Sequence, residues 1–144
     1  MSSEMIAIAA DHAGYELKNL LKQRLIEDGF DVVDLGTDNS ESVDYPDFAR
    51  ALAKEITDGR SAKGILLCGS GIGMSIAANR FPGVRAALVN DEEGARLARQ
   101  HNDANVLVLG ARRIEQSIAE DCLKAFTTTP FEGGRHQWRV QKMA

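Results

Sequence analysis

The chain has 144 residues, of which 44% are hydrophobic and 26% are charged, and its formal net charge is −4. This length is typical of one domain, and the composition is ordinary for a globular domain. The mild negative charge gives no general attraction to nucleic acid or to an anionic membrane surface, and no apolar run is long enough to span a membrane. We therefore predict a single domain over residues 1–144, with neither nucleic acid nor a membrane among its partners.

The first half of the chain alternates apolar runs with segments of helical periodicity. A strand is predicted at residues 5–10, and the helix after it ends at Gly29 and has an apolar face formed by Leu17, Leu20, Leu21 and Leu25. A second strand is predicted at 32–35, and a loop of roughly ten residues leads from it to the next helix. Pro46 suits the first turn of that helix, whose apolar face carries Phe48, Leu52 and Ile56.

The second half repeats this alternation. An apolar strand at 64–68 runs directly into the loop Gly69-Ser70-Gly71-Ile72-Gly73 and then into a helix predicted at 74–80. A strand at 86–89, a helix at 91–100 and a strand at 106–109 follow. The next helix has an apolar face formed by Ile114, Ile118, Cys122 and Phe126. Residues 131–144, which contain the pair Gly133-Gly134, are interpreted as a C-terminal basic arm.

Five strands that alternate with helices are typical of a parallel sheet covered by helices on both faces. Because crossover connections between parallel strands are right-handed, the predicted fold class is α/β. We expect a doubly wound, Rossmann-like three-layer sandwich with a five-stranded parallel sheet. Ligands of such sheets bind at the carboxyl ends of the strands, so candidate site residues are sought there.

The glycine loop after the third strand is the sharpest candidate. Glycines at alternate positions let the backbone approach a ligand closely, and the N–H groups of a loop that opens a helix bind anions. The spacing is neither the dinucleotide fingerprint nor the P-loop pattern. A tight strand-to-helix turn that binds nothing is the alternative interpretation.

Cys68 ends the third strand immediately before the glycine loop. Most free cysteines are small buried apolar residues, and we interpret Cys122 in this way. For Cys68 the position allows a second interpretation, because loop N–H donors and a helix N-terminus stabilise a thiolate that can act as nucleophile or base. A phosphatase loop would need arginine where this chain has Met74. Two cysteines are too few for a disulfide framework, and the N-terminal residues lack a signal-peptide pattern, so we expect a cytoplasmic protein.

Two further groups of polar residues stand out. Asp11-His12 follows the first strand, at the edge where ligands bind, whereas His101-Asn102 lies before the fifth strand and therefore at the opposite edge. His12, His101 and His136 are isolated in the sequence and share no ligand spacing with cysteine, so no metal site is expected. Arg135 and Arg139 are four residues apart and would share one face of a helix, where two guanidinium groups suit a phosphate. A solvated basic end is the alternative.

Five motifs occur in order along nearly the whole chain. They are Asp11-His12-Ala13-Gly14, Asp44-Tyr45-Pro46, Cys68 to Gly73 with Ile76-Ala77-Ala78-Asn79, Arg99-Gln100-His101-Asn102-Asp103, and Glu132-Gly133-Gly134-Arg135-His136 with Arg139. Together they resemble the motifs of the ribose-5-phosphate isomerase type B family. That family also includes subunits of galactose-6-phosphate isomerase and relatives that act on other phosphosugars.

The resemblance implies an aldose–ketose isomerase that needs no metal ion or cofactor and acts through a cis-enediolate. It implies that Cys68 is the general base, that Ser70 moves protons between oxygens, and that His101 opens the sugar ring with Asp11 as its partner. It places phosphate and substrate binding at His12, Tyr45, Gly69, Gly71, Ile72, Gly73, Asn102, Arg112, Arg135 and Arg139.

The resemblance also implies a homodimer or a dimer of dimers with sites at the subunit interface. We therefore expect His101 and Asn102 to reach the Cys68 site of a neighbouring copy. The substrate is expected to be ribose 5-phosphate, with allose or galactose 6-phosphate and a tetrose phosphate as alternatives within the enzyme class. A phosphate-ligand binding module is the alternative outside that class, and a thiol at the glycine loop argues against it.

Overall fold

The computed structural model describes residues 4–144; residues 1–3, which the single-domain and localisation predictions include, lie outside this range. The strands are β1 (Met5–Ala10), β2 (Asp31–Asp34), β3 (Lys63–Cys68), β4 (Ala86–Leu88) and β5 (Val106–Gly110). The helices are α1 (Tyr15–Glu27), α2 (Tyr45–Thr57), α3 (Ile72–Ala78), α4 (Glu92–Asn102), α5 (Gln116–Thr128) and α6 (Arg135–Lys142), and a short 3₁₀ turn at His12–Gly14 precedes α1.

All five strands are parallel, and their order in the sheet is β2-β1-β3-β5-β4. From β1 the chain continues to β2 on one side of the sheet, whereas from the neighbouring β3 it continues to β4 on the other side. Such a switch point opens a crevice at the carboxyl ends of the two strands. The predicted α/β fold with a five-stranded parallel sheet is confirmed, and Asp11 and Cys68 lie at this crevice.

Helices cover both faces of the sheet, and each face has its own apolar core. On one face the sheet packs against α1, α4 and α5, and on the other against α2 and α3. The central strands are buried on both faces, which explains their continuous apolar sequences. Cys122 is fully buried in the first core, as predicted, and burial raises the pKa of its thiol to about 11.

The predicted apolar face of α1 is wrong at one position. Leu20 is 45% exposed, whereas Lys18 is only 1% exposed. The ammonium of Lys18 donates to both carboxylate oxygens of Asp34 at 2.8 Å, so its charge is paired at the end of β2. Periodicity cannot predict this arrangement, because a lysine takes a position where the pattern expects an apolar side chain.

Two helix boundaries also differ from the prediction, and both differences concern the candidate site. Helix α3 begins at Ile72 rather than at residue 74, so the last glycine of the loop lies within its first turn. Helix α4 continues to Asn102, so His101 and Asn102 occupy its last turn rather than a connection after it. Arg135 and Arg139 both lie on helix α6, within the segment interpreted from the sequence as a basic arm, and therefore share one of its faces.

Candidate active site

Cys68 lies at the carboxyl end of β3 and is 5% exposed. Its Sγ accepts a hydrogen bond of 3.2 Å from the backbone N–H of Gly71. Gly71 reaches this position with a φ of +80°, in the left-handed region that glycine adopts without strain. The sulfur therefore lies against a backbone donor of the glycine loop, one residue before helix α3 begins.

The glycine loop is packed tightly against neighbouring elements. A Cβ at Gly110 would collide with the backbone of Ser70, and one at Gly73 would collide with the ring of Tyr45. The hydroxyl of Ser70 is exposed and accepts from the N–H of Ile72 at 3.2 Å. The end of β5 and the start of α2 therefore fix the loop, and Tyr45 stands over its last glycine.

Asp11 and His12 are held in defined orientations at the end of β1. A carboxylate oxygen of Asp11, which is 6% exposed, accepts from the N–H groups of Ala13 at 2.9 Å and Gly14 at 3.2 Å. The Nδ1 atom of His12 accepts from the N–H of Val43 at 3.1 Å. A neutral imidazole that accepts at Nδ1 carries its hydrogen on Nε2, so His12 can donate from Nε2 to an anionic ligand.

Arg112 borders the same crevice from the end of β5. Its backbone N–H donates to the carbonyl of Gly69 at 3.0 Å, and the N–H of Ala111 donates to the carbonyl of Cys68 at 2.8 Å. The guanidinium of Arg112 lies directly against Gly69. One edge of the sheet thus brings together the glycine loop and the predicted site residues Asp11, His12, Tyr45, Cys68, Ser70 and Arg112.

The other predicted residues form a second group at the opposite edge. His101 and Asn102 end α4 at the amino ends of the strands, and the N–H of Glu132 donates to the carbonyl of Gln100 at 3.1 Å. This contact brings the segment before α6, and with it Arg135 and Arg139, against α4. A strand of six residues separates the two edges by about 16 Å, so His101 does not lie beside Asp11 or Cys68 of its own chain.

The interpretation of the histidines as isolated is wrong for His101 and His136. Their rings stack with centroids 4.4 Å apart and planes 13° apart. Both Nε2 atoms face one carboxylate oxygen of Glu132, at 4.0 Å from His101 and 3.6 Å from His136. Burial and the positive charges of His101 and Arg135 lower the pKa of His136. Sequence reasoning missed this cluster, although the four-residue spacing of Glu132 and His136 was a signal for it.

Comparison with known proteins assigns this arrangement to a family. The family described as Ribose/Galactose Isomerase matches residues 6–143 of the chain. The chain belongs to this family. The resemblance noted in the motifs is therefore confirmed over nearly the whole sequence.

Several relatives share this length and fold. Ribose-5-phosphate isomerase B of Escherichia coli is 44% identical over 136 residues, which cover 94% of this chain and 91% of the relative. The crystal structure of a ribose 5-phosphate isomerase from Thermotoga maritima is 50% identical, covers 99% of this chain and 98% of its own, and superposes with a TM-score of 0.96. Ribose 5-phosphate isomerase B of Anaplasma phagocytophilum is 47% identical, with a TM-score of 0.93 and coverage of 100% of this chain and 99% of its own.

Within residues 4–144, every helix is too short or too polar to cross a membrane.

Proposed function

We propose that the chain is an aldose–ketose isomerase that interconverts ribose 5-phosphate and ribulose 5-phosphate. The observation that carries this proposal is the buried sulfur of Cys68, which the Gly71 N–H contacts at 3.2 Å inside an anion-binding loop. A binding module needs anion donors but has no use for a thiol held in this way. The names of the relatives direct the choice toward a five-carbon substrate.

The proposed chemistry moves one proton between neighbouring carbons. The Cys68 thiolate removes the proton from C2 of the open aldose and returns it to C1 of the cis-enediolate. Negative charge develops on the substrate oxygen during this step, and N–H groups of the glycine loop stabilise it. The exposed hydroxyl of Ser70, within the same loop, moves a proton between the two oxygens.

Phosphate binding divides between the two edges of the sheet. At the Cys68 edge, His12 offers an Nε2 hydrogen and Arg112 offers a guanidinium. Arg135 and Arg139 belong to the other edge, about 16 Å away. All four groups can contact one phosphate only if α6 of a second copy closes over the Cys68 edge.

We therefore propose a homodimer, or a dimer of dimers, whose sites each take residues from two copies. His101 and Asn102 of the second copy would meet Asp11 and Cys68, where His101 opens the sugar ring. Two side chains next to the glycine loop support such a contact: Ile72 is 56% exposed and Ile76 is 61% exposed on the same face of α3. An apolar pair at this position suits burial against another chain.

We further propose that the reaction needs neither a metal ion nor a cofactor and takes place in the cytoplasm, within pentose phosphate metabolism. The single experiment that tests the function is turnover of the purified protein on open and cyclic aldose phosphates of four, five and six carbons. The expected result is the highest kcat/KM for ribose 5-phosphate. Preference for allose or galactose 6-phosphate, or for a tetrose phosphate, would change the substrate, and binding without turnover would reject the enzyme.

A further inference from the structure

Three side chains of metal-binding type meet at the amino edge of the sheet, away from the glycine loop. They are His101 from the last turn of α4, Glu132 from the segment before α6, and His136 from the first turn of α6. One ligand atom of each lies within 4.8 Å of the others. We propose that these residues form a binding site for Zn²⁺ or a similar borderline divalent cation, and that the bound ion inhibits the enzyme.

The donor set fits this choice of ion. Two imidazole nitrogens and one carboxylate oxygen, with water as the fourth ligand, make a common tetrahedral zinc site. Bonds near 2.1 Å place tetrahedral ligand atoms about 3.4 Å apart. The Nε2 atoms of His136 and His101 lie 3.6 Å and 4.0 Å from the Glu132 oxygen. These two distances need to shorten by only a few tenths of an ångström to reach the tetrahedral spacing.

One ring must also turn. The stacked rings of His101 and His136 are 13° from parallel, so their lone pairs run side by side rather than converging. The side chain of His136 is 9% exposed and held by its surroundings, whereas that of His101 is 41% exposed and has room to rotate. Binding therefore reorients His101, while His136 remains in place.

The backbone already holds the three residues together. The N–H of Glu132 donates to the carbonyl of Gln100 at 3.1 Å, which ties the segment before α6 to the end of α4. The N–H of His136 donates to the carbonyl of Gly133 at 3.1 Å and fixes the first turn of α6. The ligands therefore need little further ordering when the ion binds.

The charges near the site restrict which cations can bind. Arg135 and Arg139 lie on the same helix as His136 and oppose any cation by electrostatic repulsion. Strong bonds to imidazole can overcome this repulsion, and zinc forms them. Mg²⁺ and Ca²⁺ prefer oxygen ligands and would find only one carboxylate, so they should not bind.

The inhibitory effect, unlike the binding itself, rests on the proposed function. In that function His101 transfers protons during ring opening. A metal ion bound to its Nε2 blocks proton transfer at that atom and holds the ring in a new orientation. Zinc should therefore lower turnover although it contacts neither Cys68 nor the glycine loop of the same chain.

Calorimetric titration of the full chain with ZnCl₂ tests the site without reference to catalysis. We expect one Zn²⁺ per chain and no heat of binding with MgCl₂. Loss of an outer-shell partner of a ligand weakens metal binding by up to about 100-fold, so loss of a ligand itself in His136→Gln or Glu132→Gln should weaken zinc binding by at least about 100-fold. His12→Gln is the matched control, because His12 is the one histidine of the chain outside the three proposed ligands, and the zinc affinity of this variant should equal that of the unmodified chain.

Cys68→Ser provides the decisive second control. Unchanged zinc binding in this variant supports the site, whereas loss of binding would place the metal on the thiol and overturn the proposal. Unchanged zinc affinity in His136→Gln would also overturn the proposal. Circular dichroism of the variants shows whether they are folded.

Turnover then tests inhibition. Zinc should inhibit the unmodified enzyme reversibly, with activity restored by EDTA, while the activity of His136→Gln, measured relative to the same variant without zinc, should no longer respond to the ion. Equal inhibition of both proteins would reject the inhibitory role. If no aldose phosphate is turned over at all, the proposed function fails while the calorimetric result still decides the site.

Discussion

The chemistry of the Cys68 sulfur is set by its immediate contacts. It is almost fully buried at the end of β3, directly after the apolar residues Ile65, Leu66 and Leu67, and it accepts a hydrogen bond from the Gly71 N–H. Cys122 lies fully buried in an apolar core instead, and burial raises the pKa of its thiol to about 11. Of the two cysteines, only Cys68 lies at the crevice where the strands end.

Replacing the sulfur tests this difference. Cys68→Ala should lower kcat by about 10²–10⁴-fold, the usual contribution of a positioned general base, while the affinity for sugar phosphate changes little. Steady-state kinetics and calorimetric titration with ribose 5-phosphate measure the two effects. Cys122→Ala is the matched control and should keep its kcat, and full activity in Cys68→Ala would remove this residue from the mechanism.

Glycine is needed at position 73 because the ring of Tyr45 occupies the space of a Cβ, and not because of its backbone angles. A Cβ at this position would overlap the ring of Tyr45, which is 38% exposed at the edge of the crevice. Gly73→Ala should therefore displace Tyr45 and raise KM for ribose 5-phosphate by about tenfold, which corresponds to about 1.4 kcal/mol of binding free energy. Michaelis constants of the variant measure this change.

A double-mutant cycle separates displacement of the ring from damage to the loop. If Gly73→Ala acts through Tyr45, adding it to Tyr45→Ala should raise KM little further, because the ring it displaces is already absent. Additive effects would show instead that the alanine disturbs the glycine loop directly.

The sequence predicts which residues belong to the candidate site more readily than it predicts how their side chains are oriented. The strand ends identified Asp11, His12 and Cys68 as neighbours, because the carboxyl ends of adjacent parallel strands meet at one edge. The sequence could not show that Nδ1 of His12 accepts from Val43, a contact across 31 positions of chain. Nor could it show the stack of His101 on His136, which depends on how α6 returns to α4.

At the level of elements, α1 and β2 are joined by an ion pair between the buried Lys18 and the half-buried Asp34. Lys18 donates to both oxygens of Asp34, and the N–H of Gly36 donates to one of them at 2.9 Å. Burial alone would raise the pKa of Asp34, but hydrogen bonds from Lys18, Gly36 and Lys22 lower it. The carboxylate thus anchors the loop after β2, whose Thr37 N–H donates to the carbonyl of Ala10 next to Asp11.

Breaking this pair should destabilise the fold. Lys18→Met leaves the half-buried Asp34 carboxylate with only Lys22 and the Gly36 N–H as donors and should lower the free energy of unfolding by about 1–3 kcal/mol. Lys18→Met with Asp34→Leu should recover most of that loss, because an apolar pair of similar volume replaces both charges. Urea unfolding followed by circular dichroism gives the three free energies, and equal stability of the single and double variants would contradict the role of the unpaired charge.

The Lys18–Asp34 pair also makes the stability of the fold depend on pH. Because the pKa of Asp34 is lower in the folded chain than in the unfolded chain, its contribution is complete above about pH 4 and is lost as the pH falls through the folded pKa. Asp34→Asn should therefore flatten the decline in stability below pH 4. Urea midpoints measured between pH 3 and pH 6 test this, and parallel curves for the two proteins would exclude Asp34 as the cause.

For the whole molecule, the two edges of the sheet hold two halves of one proposed site. The sequence predicted this division, because His101 precedes the fifth strand and Cys68 ends the third. It could not predict that Glu132 and His136 accompany His101, since that depends on the path of the chain after α5. Nor could it predict that Lys18 is buried, because a buried charge leaves no mark in the hydrophobic pattern.

Mixing two inactive variants tests whether the halves come from different copies. Cys68→Ala and His101→Ala each damage both sites of a homodimer, so each alone should have little activity. In a hybrid dimer, one site has both substitutions and the other has neither, because each site takes Cys68 from one copy and His101 from the other. Random exchange makes half of the dimers hybrid, so about a quarter of the unmodified activity should return.

Native mass spectrometry shows whether hybrids form, and the activity of the mixture is measured in the same sample. Each variant taken through the exchange alone is the control and should remain inactive. If hybrids form and no activity returns, His101 and Cys68 do not serve a shared site across the interface. Since about 16 Å separates the two edges within one chain, that outcome would leave His101 without a route to the substrate and would remove it from the mechanism.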